Sequence, residues 1–319
     1  MSTNIYRREP PLDSRGLAAR WNATVKQIYH CRVLYLMILP AIAAVFIFHY
    51  IPLYGVQIAF KDYRTSLGIW GSEFVGFKHF LRFFKYPYFG RMLWNTVEVS
   101  LVSLLNFPLP IIFALMLNEL RSSKVKKVCQ TIVYAPHFVS VVVVCSMTIL
   151  FLNREGLFNI IGGLFGAKTT DFMASPAAFP WIYSLSGLWT ELGWGTIIYI
   201  ATLAGVSVEL VEAARIDGAS RLRIIWHIYL SHLKPTIVIM LILRMGSLLS
   251  VGFEKVFLLQ NPLNQEASSV ISTYVYNIGI ESQQFSYSTA IGLFNSIINI
   301  LLIVTANAIS KKVSETSLW

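Results

Sequence analysis

The chain has 319 residues, of which 55% are hydrophobic and 13% charged, and its formal net charge is +10 at pH 7. A soluble domain is about 45–50% apolar and about 25% charged, so the composition excludes an ordinary soluble protein and indicates a membrane protein. The basic residues flank apolar segments and form no single stripe with interleaved aromatic side chains, which excludes nucleic acid as the expected partner.

Six apolar segments are suited to cross a bilayer as helices, which takes roughly 20 residues each. Unbroken apolar runs at 139–152 and 297–304 lack the alternation of apolar and polar residues that is typical of membrane β-strands. The sequence therefore predicts an all-α integral membrane protein with six transmembrane helices, near residues 33–48, 93–117, 128–152, 181–203, 237–259 and 289–309.

Charge and hydropathy divide the chain into successive regions. Residues 1–32 are polar and basic and are predicted to form an N-terminal tail. The first transmembrane helix, at 33–60, is expected to remain as an anchor, because about thirty polar residues precede its apolar core and a signal peptide has a short basic start. An external segment at 61–91, a core transmembrane domain at 92–310 and a C-terminal tail at 311–319 follow.

The distribution of Lys and Arg indicates which segments of the chain lie on the cytoplasmic side of the membrane. If the N-terminus lies inside, the inside segments hold sixteen of these residues and the outside segments nine. Because cytoplasmic loops of membrane proteins are enriched in Lys and Arg, we expect both termini to be cytoplasmic, together with the loop at 208–230.

The external segment at 61–91 contains many aromatic residues. Most of these rings are expected to pack against the outer face of the membrane domain. The alternative is a platform for an external partner or a passing substrate, with Arg64, Arg82 and Arg91 as its polar groups, because aromatic and Arg-rich surfaces favour recognition.

Four charged residues in or near the spans are candidates to line a substrate path. Arg244 is the clearest, because an Arg at the centre of a transmembrane helix costs about 2.5–3.5 kcal/mol on an insertion scale. It should face protein or water, either as a structural partner of a polar group or as a residue of the path. The other candidates are Glu98, Glu191 and Glu254.

The loop at 208–230 contains the most informative motif of the chain. Residues 208–216 are predicted to form a short helix that Gly218 ends, because glycine adopts the left-handed backbone conformation common after helices. Asp217 is expected to cap a second, amphipathic helix at 219–230, whose apolar face would consist of Leu222, Ile225, Trp226 and Tyr229. From the residues alone, a docking element and an ordinary solvated loop are equally consistent with this pattern.

The same stretch resembles the signature loop of permease subunits in binding-protein-dependent ABC importers. The matching residues are Glu212-Ala213-Ala214, Asp217-Gly218-Ala219, Trp226, Ile228, Leu230 and Pro235, whereas Ser231 stands where that family usually has proline. Segments at 50–55, 59–63, 68–71, 273–276 and 290–294 are similar to the polysaccharide and complex-oligosaccharide branch of the carbohydrate permeases.

The resemblance implies a specific fold and function. The fold would be the six-helix, type I permease topology in the bacterial inner membrane. The subunit would pair with a second, related permease and with a cytoplasmic ABC ATPase dimer, and it would import an oligosaccharide delivered by an extracellular sugar-binding protein. The residues implied to contact the ATPase are Glu212, Ala213, Ala214, Arg215, Asp217, Gly218 and Ala219.

The sequence predicts a transport subunit with no catalytic residues, cofactor or metal site. The glycine-rich stretch 162–169 lacks the Gly-Lys pair of an ATP-binding loop and falls on the outer side, so ATP hydrolysis is assigned to a separate subunit. One alternative is an ATPase-independent secondary sugar transporter, which would need intramembrane acids for ion coupling. A membrane enzyme acting on lipid-linked sugar is the other, and it would need paired acids or metal ligands.

Overall fold

A computed structural model describes residues 29–314 and 317–318 of the chain. Contacts divide the chain into two units, residues 1–57 and 58–319. The described part is helical, as predicted, apart from one pair of antiparallel two-residue strands, Lys61–Asp62 and Glu73–Phe74. Most of the predicted N-terminal tail, residues 1–28, lies outside the described residues, and the predicted domain boundaries stay predictions.

The first span runs over Arg32–Phe60 and none of the residues in its most apolar window is buried. It consists of the α-helix Arg32–Val45, the π-helical turn Phe46–Tyr50, the short helix Ile51–Leu53 and the 3-10 helix Tyr54–Phe60. The predicted apolar core at 33–48 falls within this span. Apolar side chains on all sides of a helix are stable only where lipid or another helix covers them.

The other spans belong to the second unit. We number them second to sixth: Phe89–Glu119 (helices Phe89–Leu104 and Pro108–Glu119), Val141–Leu164 (Val141–Leu152 and Leu157–Leu164), Phe179–Leu203, Arg221–Gly246 (Arg221–Ile224, Ile225–Tyr229 and Leu230–Gly246) and Phe285–Ser314. By length and composition, five helices of the described part can cross a membrane. The predicted number of six is reached when Pro176–Leu203 is counted together with Val208–Ile216, to which it is bent by 78°.

Short helices connect these spans. They are Gly68–Gly71, Lys78–Phe84, Ser123–Tyr134, Ala135–Phe138, Phe172–Ala174, Pro176–Ala178, Val208–Ile216, Phe253–Leu259, Gln265–Ser268, Ile271–Tyr276 and Asn277–Glu281.

The third predicted span, 128–152, was wrong in its bounds. A separate helix, Ser123–Tyr134, precedes a 3-10 turn at Ala135–Phe138, and the span itself begins only at Val141. Pro136 stands at the start of the turn, where it cannot continue the preceding helix. The Ser140 hydroxyl then accepts a hydrogen bond from the Val143 amide at 3.4 Å and caps the new helix.

The fifth predicted span, 237–259, was also wrong in its bounds. The helix begins 16 residues earlier, at Arg221, and ends at Gly246, while Phe253–Leu259 is a separate helix. Val256 and Leu259 are buried in the protein core together with Phe179 and Val270. These apolar residues therefore serve packing between helices, which composition alone does not distinguish from contact with lipid.

Candidate functional site

The coupling loop, residues 208–230, begins with a capped helix. The Ser207 hydroxyl accepts a hydrogen bond from the Leu210 amide at 3.3 Å, so one free amide at the start of Val208–Ile216 is satisfied. Glu209 in the first turn and Arg215 in the last turn complement the helix dipole. A nine-residue helix is too short to be stable alone, so this helix depends on its packing against the membrane domain.

Gly218 ends this helix in the way the sequence predicted. Its φ is +78°, and two hydrogen bonds close the turn: the Ala219 amide donates to the Ala214 carbonyl at 2.9 Å, and the Gly218 amide donates to the Arg215 carbonyl at 3.0 Å. This pair of bonds is the Schellman motif, which requires a left-handed residue at the glycine position.

The expected role of Asp217 as a cap of the second helix was wrong. Asp217 is the C-terminal cap of the first helix, and the second helix is capped by Ser220, whose hydroxyl accepts from the Arg223 amide at 3.4 Å. The reason is the turn at Gly218: three residues, 218–220, separate Asp217 from the first helical residue, Arg221. The Asp217 side chain is therefore left exposed.

One face of the coupling loop packs on the membrane domain. Val211 is buried, and Ala214 and Ala219 are half-buried against a cluster that also contains Ile224 and Tyr229. The second and fourth spans complete this cluster with Ile111, Ala114, Tyr199 and Leu203. Because cores are close-packed, displacement of the loop would be felt directly by the spans beneath it.

The opposite face of the coupling loop, which points away from the membrane domain, is exposed. Ala213, Glu212 and Arg215 are all exposed, and within the described part of the chain no ion pair involves either charged residue. Apolar side chains are exposed beside them, namely Ile216 (86% exposed), Leu222 (78%) and Trp226 (68%). The predicted apolar face was therefore wrong for Leu222 and Trp226, although Tyr229 is buried and Ile225 half-buried.

A cavity of about 730 Å³ lies among the second, third, fourth and fifth spans. We call it the membrane cavity. Arg244 and Glu191 both line it, so the fold brings these two candidates together. Glu98 is half-buried in the second span and Glu254 is exposed in the first turn of Phe253–Leu259, and neither belongs to the lining of the cavity.

Lys255 is a residue of the membrane cavity that the sequence analysis missed. Its ammonium donates a hydrogen bond to the Tyr183 carbonyl at 2.6 Å and lies 4.5 Å from the centre of the Tyr183 ring. A Cβ atom at Gly187 would lie only 2.9 Å from this nitrogen, so glycine there leaves space for the cation. Among the described residues, no carboxylate pairs with Lys255 or Arg244.

A histidine that lines the same cavity lies beside Glu191. The His137 ring stacks on Trp194 with centroids 4.3 Å apart and planes 6° apart, and its Nδ1 lies 3.4 Å from a Glu191 carboxylate oxygen. Glu191 also interacts electrostatically with Lys255 across the cavity, but in the described part of the chain it forms no ion pair with Lys255 or Arg244.

The described residues contain no group of three or more His, Cys, Asp or Glu that could hold a metal ion. The groups that the membrane cavity offers are cations, one carboxylate, hydroxyls, an amide and aromatic rings. Such groups bind and orient a polar ligand through hydrogen bonds and charge.

Comparison with known proteins identifies the family. Residues 106–315 match the family described as binding-protein-dependent transport system inner membrane component. The chain is 44% identical over 290 residues to the polygalacturonan/rhamnogalacturonan transport system permease protein YteP of Bacillus subtilis (strain 168), covering 90% of each chain. It is 43% identical to Protein LplB of the same organism over the full length of both.

A solved structure agrees with these sequence relationships. A bacterial ABC transporter involved in the import of the acidic polysaccharide alginate contains a chain that superposes with a TM-score of 0.82 at 37% identity, covering 92% of this chain and 99% of that one. The predicted permease fold and inner-membrane location are confirmed. The chain belongs to the family of binding-protein-dependent transport system inner membrane components: it is the permease of an ABC importer for oligo- or polysaccharides, and a separate subunit hydrolyses ATP.

Proposed function

We propose that this permease works in an assembly with a second, related permease, a cytoplasmic ABC ATPase dimer and an external sugar-binding protein. Support comes from the similar alginate transporter, which has been solved in complex with an alginate pentasaccharide-bound periplasmic protein. The exposed face of the coupling loop is the surface of this chain that fits the ATPase.

In this proposal the coupling loop transmits force in both directions. Glu212 and Arg215 supply charges that meet groups on the ATPase, while Ile216 supplies exposed apolar surface. Val211 and Ala214 anchor the loop in the core below. Closure of the ATPase therefore moves the spans that line the membrane cavity and changes which side of the membrane it opens to.

We further propose that the substrate is an acidic oligosaccharide. The observation that carries this proposal is that two cations, Arg244 and Lys255, line one cavity with a single carboxylate, Glu191, and that neither cation forms an ion pair among the described residues. A carboxylate about 4 Å from one such cation gains up to about 4 kcal/mol at an effective dielectric constant near 20, whereas a neutral sugar gains none of this. The similar permease YteP is named for polygalacturonan and rhamnogalacturonan, and the similar transporter imports alginate.

Transport by the reconstituted assembly tests this function. Proteoliposomes that contain the complete assembly, the binding protein and internal ATP are expected to accumulate galacturonate oligosaccharides in preference to neutral maltooligosaccharides. The variants Arg244→Gln and Lys255→Gln should reduce this preference, whereas Lys168→Gln, at an exposed external position, is the matched control. Uptake without any ATPase would favour the secondary transporter, and equal uptake of neutral and acidic sugars would refute the proposed substrate class.

A further inference from the structure

A second cavity, of about 980 Å³, is formed by the outer parts of the described chain. We call it the outer pocket. Its walls come from the helix Lys78–Phe84, residues 85–87 ahead of the second span, residues 274 and 278 and the start of the sixth span. Because the second and sixth spans begin outside in the orientation derived from the basic residues, this pocket faces the exterior. It shares no lining residue with the membrane cavity.

The charged residues that line the outer pocket are all basic: Lys78, Arg82 and Lys85. The Lys78 ammonium donates a hydrogen bond to the Asp62 carboxylate at 2.5 Å, and this bond holds the pKa of Asp62 below its usual 3.8. Lys78 is thereby neutralised. No ion pair of the described residues involves Arg82 or Lys85, so two positive charges remain uncompensated.

Tyrosine rings form much of the remaining wall. The Arg82 guanidinium lies 4.3 Å from the centre of the Tyr287 ring, which fixes its position by a cation–π contact. The Tyr86 and Tyr274 rings are 4.9 Å apart and tilted by 30°, and the Tyr274 and Tyr287 hydroxyl oxygens are 3.4 Å apart. Tyr287 itself is only 2% exposed, so the half-buried Tyr86 and Tyr274 supply the aromatic surface and the hydroxyl groups of this wall.

This combination matches the chemistry of an acidic sugar. A pyranose ring presents C–H groups that pack on aromatic surface, while its hydroxyl groups hydrogen-bond to phenolic oxygens. A uronate carboxylate accepts charge-assisted hydrogen bonds from Arg or Lys, which are about twice as strong as neutral ones. The volume lies at the upper end of the roughly 300–1,000 Å³ of small-molecule sites.

We propose that the outer pocket is an external binding site for a uronate-bearing oligosaccharide, with Arg82 and Lys85 holding a carboxylate and with Tyr86 and Tyr274 holding the ring. The choice of an acidic sugar rests on the proposed function. The site would hold substrate on the outer face before it enters the membrane cavity. An anionic lipid headgroup carries a similar negative charge, so a test of this site must distinguish an acidic sugar from a lipid.

The experiment measures binding of a galacturonate trisaccharide to the full assembly in phosphatidylcholine nanodiscs without binding protein. Arg244→Gln and Lys255→Gln are both introduced first, so that the membrane cavity no longer contributes. In this background, added Arg82→Gln or Lys85→Gln is expected to weaken binding at least tenfold. The matched control Lys168→Gln should leave the affinity unchanged, and neutral maltotriose should not bind. Both test positions are exposed, and size-exclusion chromatography confirms that each variant assembles.

Several results would overturn the proposal: no binding in the background variant, unchanged affinity after Arg82→Gln and Lys85→Gln, or loss of binding in nanodiscs that contain phosphatidylglycerol, which would assign the pocket to lipid headgroups. The proposed function is judged separately, by uptake in the unmodified assembly. If that assembly imports galacturonate oligosaccharides while the outer variants bind normally, only the outer site is refuted. If it imports neutral sugars alone, the acidic substrate class is refuted as well.

Discussion

The left-handed turn at Gly218 makes a quantitative prediction about coupling. A residue with a side chain pays roughly 1–2 kcal/mol to adopt the left-handed conformation, and Gly218 has a φ of +78°. Gly218→Ala should therefore lower the ratio of the native turn to unstrained alternatives about 5–30-fold. If only the native turn docks, the apparent Kd for the ATPase equals the intrinsic Kd divided by the fraction of molecules whose loop is in the native turn.

Two further variants separate backbone strain from steric obstruction. A Cβ atom at Gly218 meets nothing within 4 Å in this chain, so the chain itself does not oppose a side chain there. Asparagine is larger than alanine but adopts the left-handed conformation more readily, so Gly218→Asn should retain more coupling than Gly218→Ala. Gly163→Ala is the matched control, because Gly163 lies in the helix Leu157–Leu164 with equally open space around its Cβ.

The assay titrates the ATPase subunit against purified permease in nanodiscs and records both retention of the ATPase and substrate-stimulated ATP hydrolysis. Gly218→Ala is expected to shift the half-saturating ATPase concentration upward about 5–30-fold, and Gly163→Ala to leave it unchanged. Wild-type behaviour of Gly218→Ala would refute the claim that docking needs this turn. Poorer coupling by Gly218→Asn than by Gly218→Ala would show that steric exclusion by the partner, not backbone strain, makes glycine necessary.

Three further outcomes are expected. Glu212→Lys should abolish ATP-driven uptake, because it reverses an exposed charge on the coupling loop. Membrane insertion, checked by fractionation, should stay normal. Normal uptake would argue against docking through this face. Arg244→Gln combined with Lys255→Gln should lower uptake of galacturonate oligosaccharides at least tenfold and leave neutral sugars unaffected, and equal losses for both would indicate a structural role. Because the hydrogen bond from Lys78 holds the native pKa of Asp62 below 3.8, Asp62 stabilises the strand pair Lys61–Asp62 and Glu73–Phe74 above pH 3.8, and this contribution is lost as the pH falls through that native pKa. Asp62→Asn should remove this pH dependence from hydrogen exchange at residues 61–77, and an unchanged profile would contradict the assignment.

The sequence predicted the helices better than their ends. Long apolar runs identify helices in a membrane because the backbone must satisfy its own hydrogen bonds there. The same runs misplace the boundaries where apolar side chains pack against protein. Val256 and Leu259 are as apolar as a span requires, yet they are buried between helices, and only tertiary structure reveals this.

The coupling loop could be predicted from the sequence better than the membrane cavity could. The turn of the coupling loop is local, so the helix end at Gly218 could be predicted from a few adjacent residues. The membrane cavity joins Lys255 to Tyr183, 72 residues earlier in the chain, and no local pattern predicts that contact. Lys255 also lay at the edge of a wrongly placed span, where it looked like an ordinary external charge.

The most direct test of the account is the accessibility of the coupling loop to a membrane-impermeant thiol reagent. A single cysteine is placed at the highly exposed Ile216 after the native Cys31, Cys129 and Cys145 are replaced by serine. The account predicts that the reagent labels this cysteine from the cytoplasmic side only, and that bound ATPase protects it. Labelling from the exterior, or equal labelling with and without bound ATPase, would contradict the account.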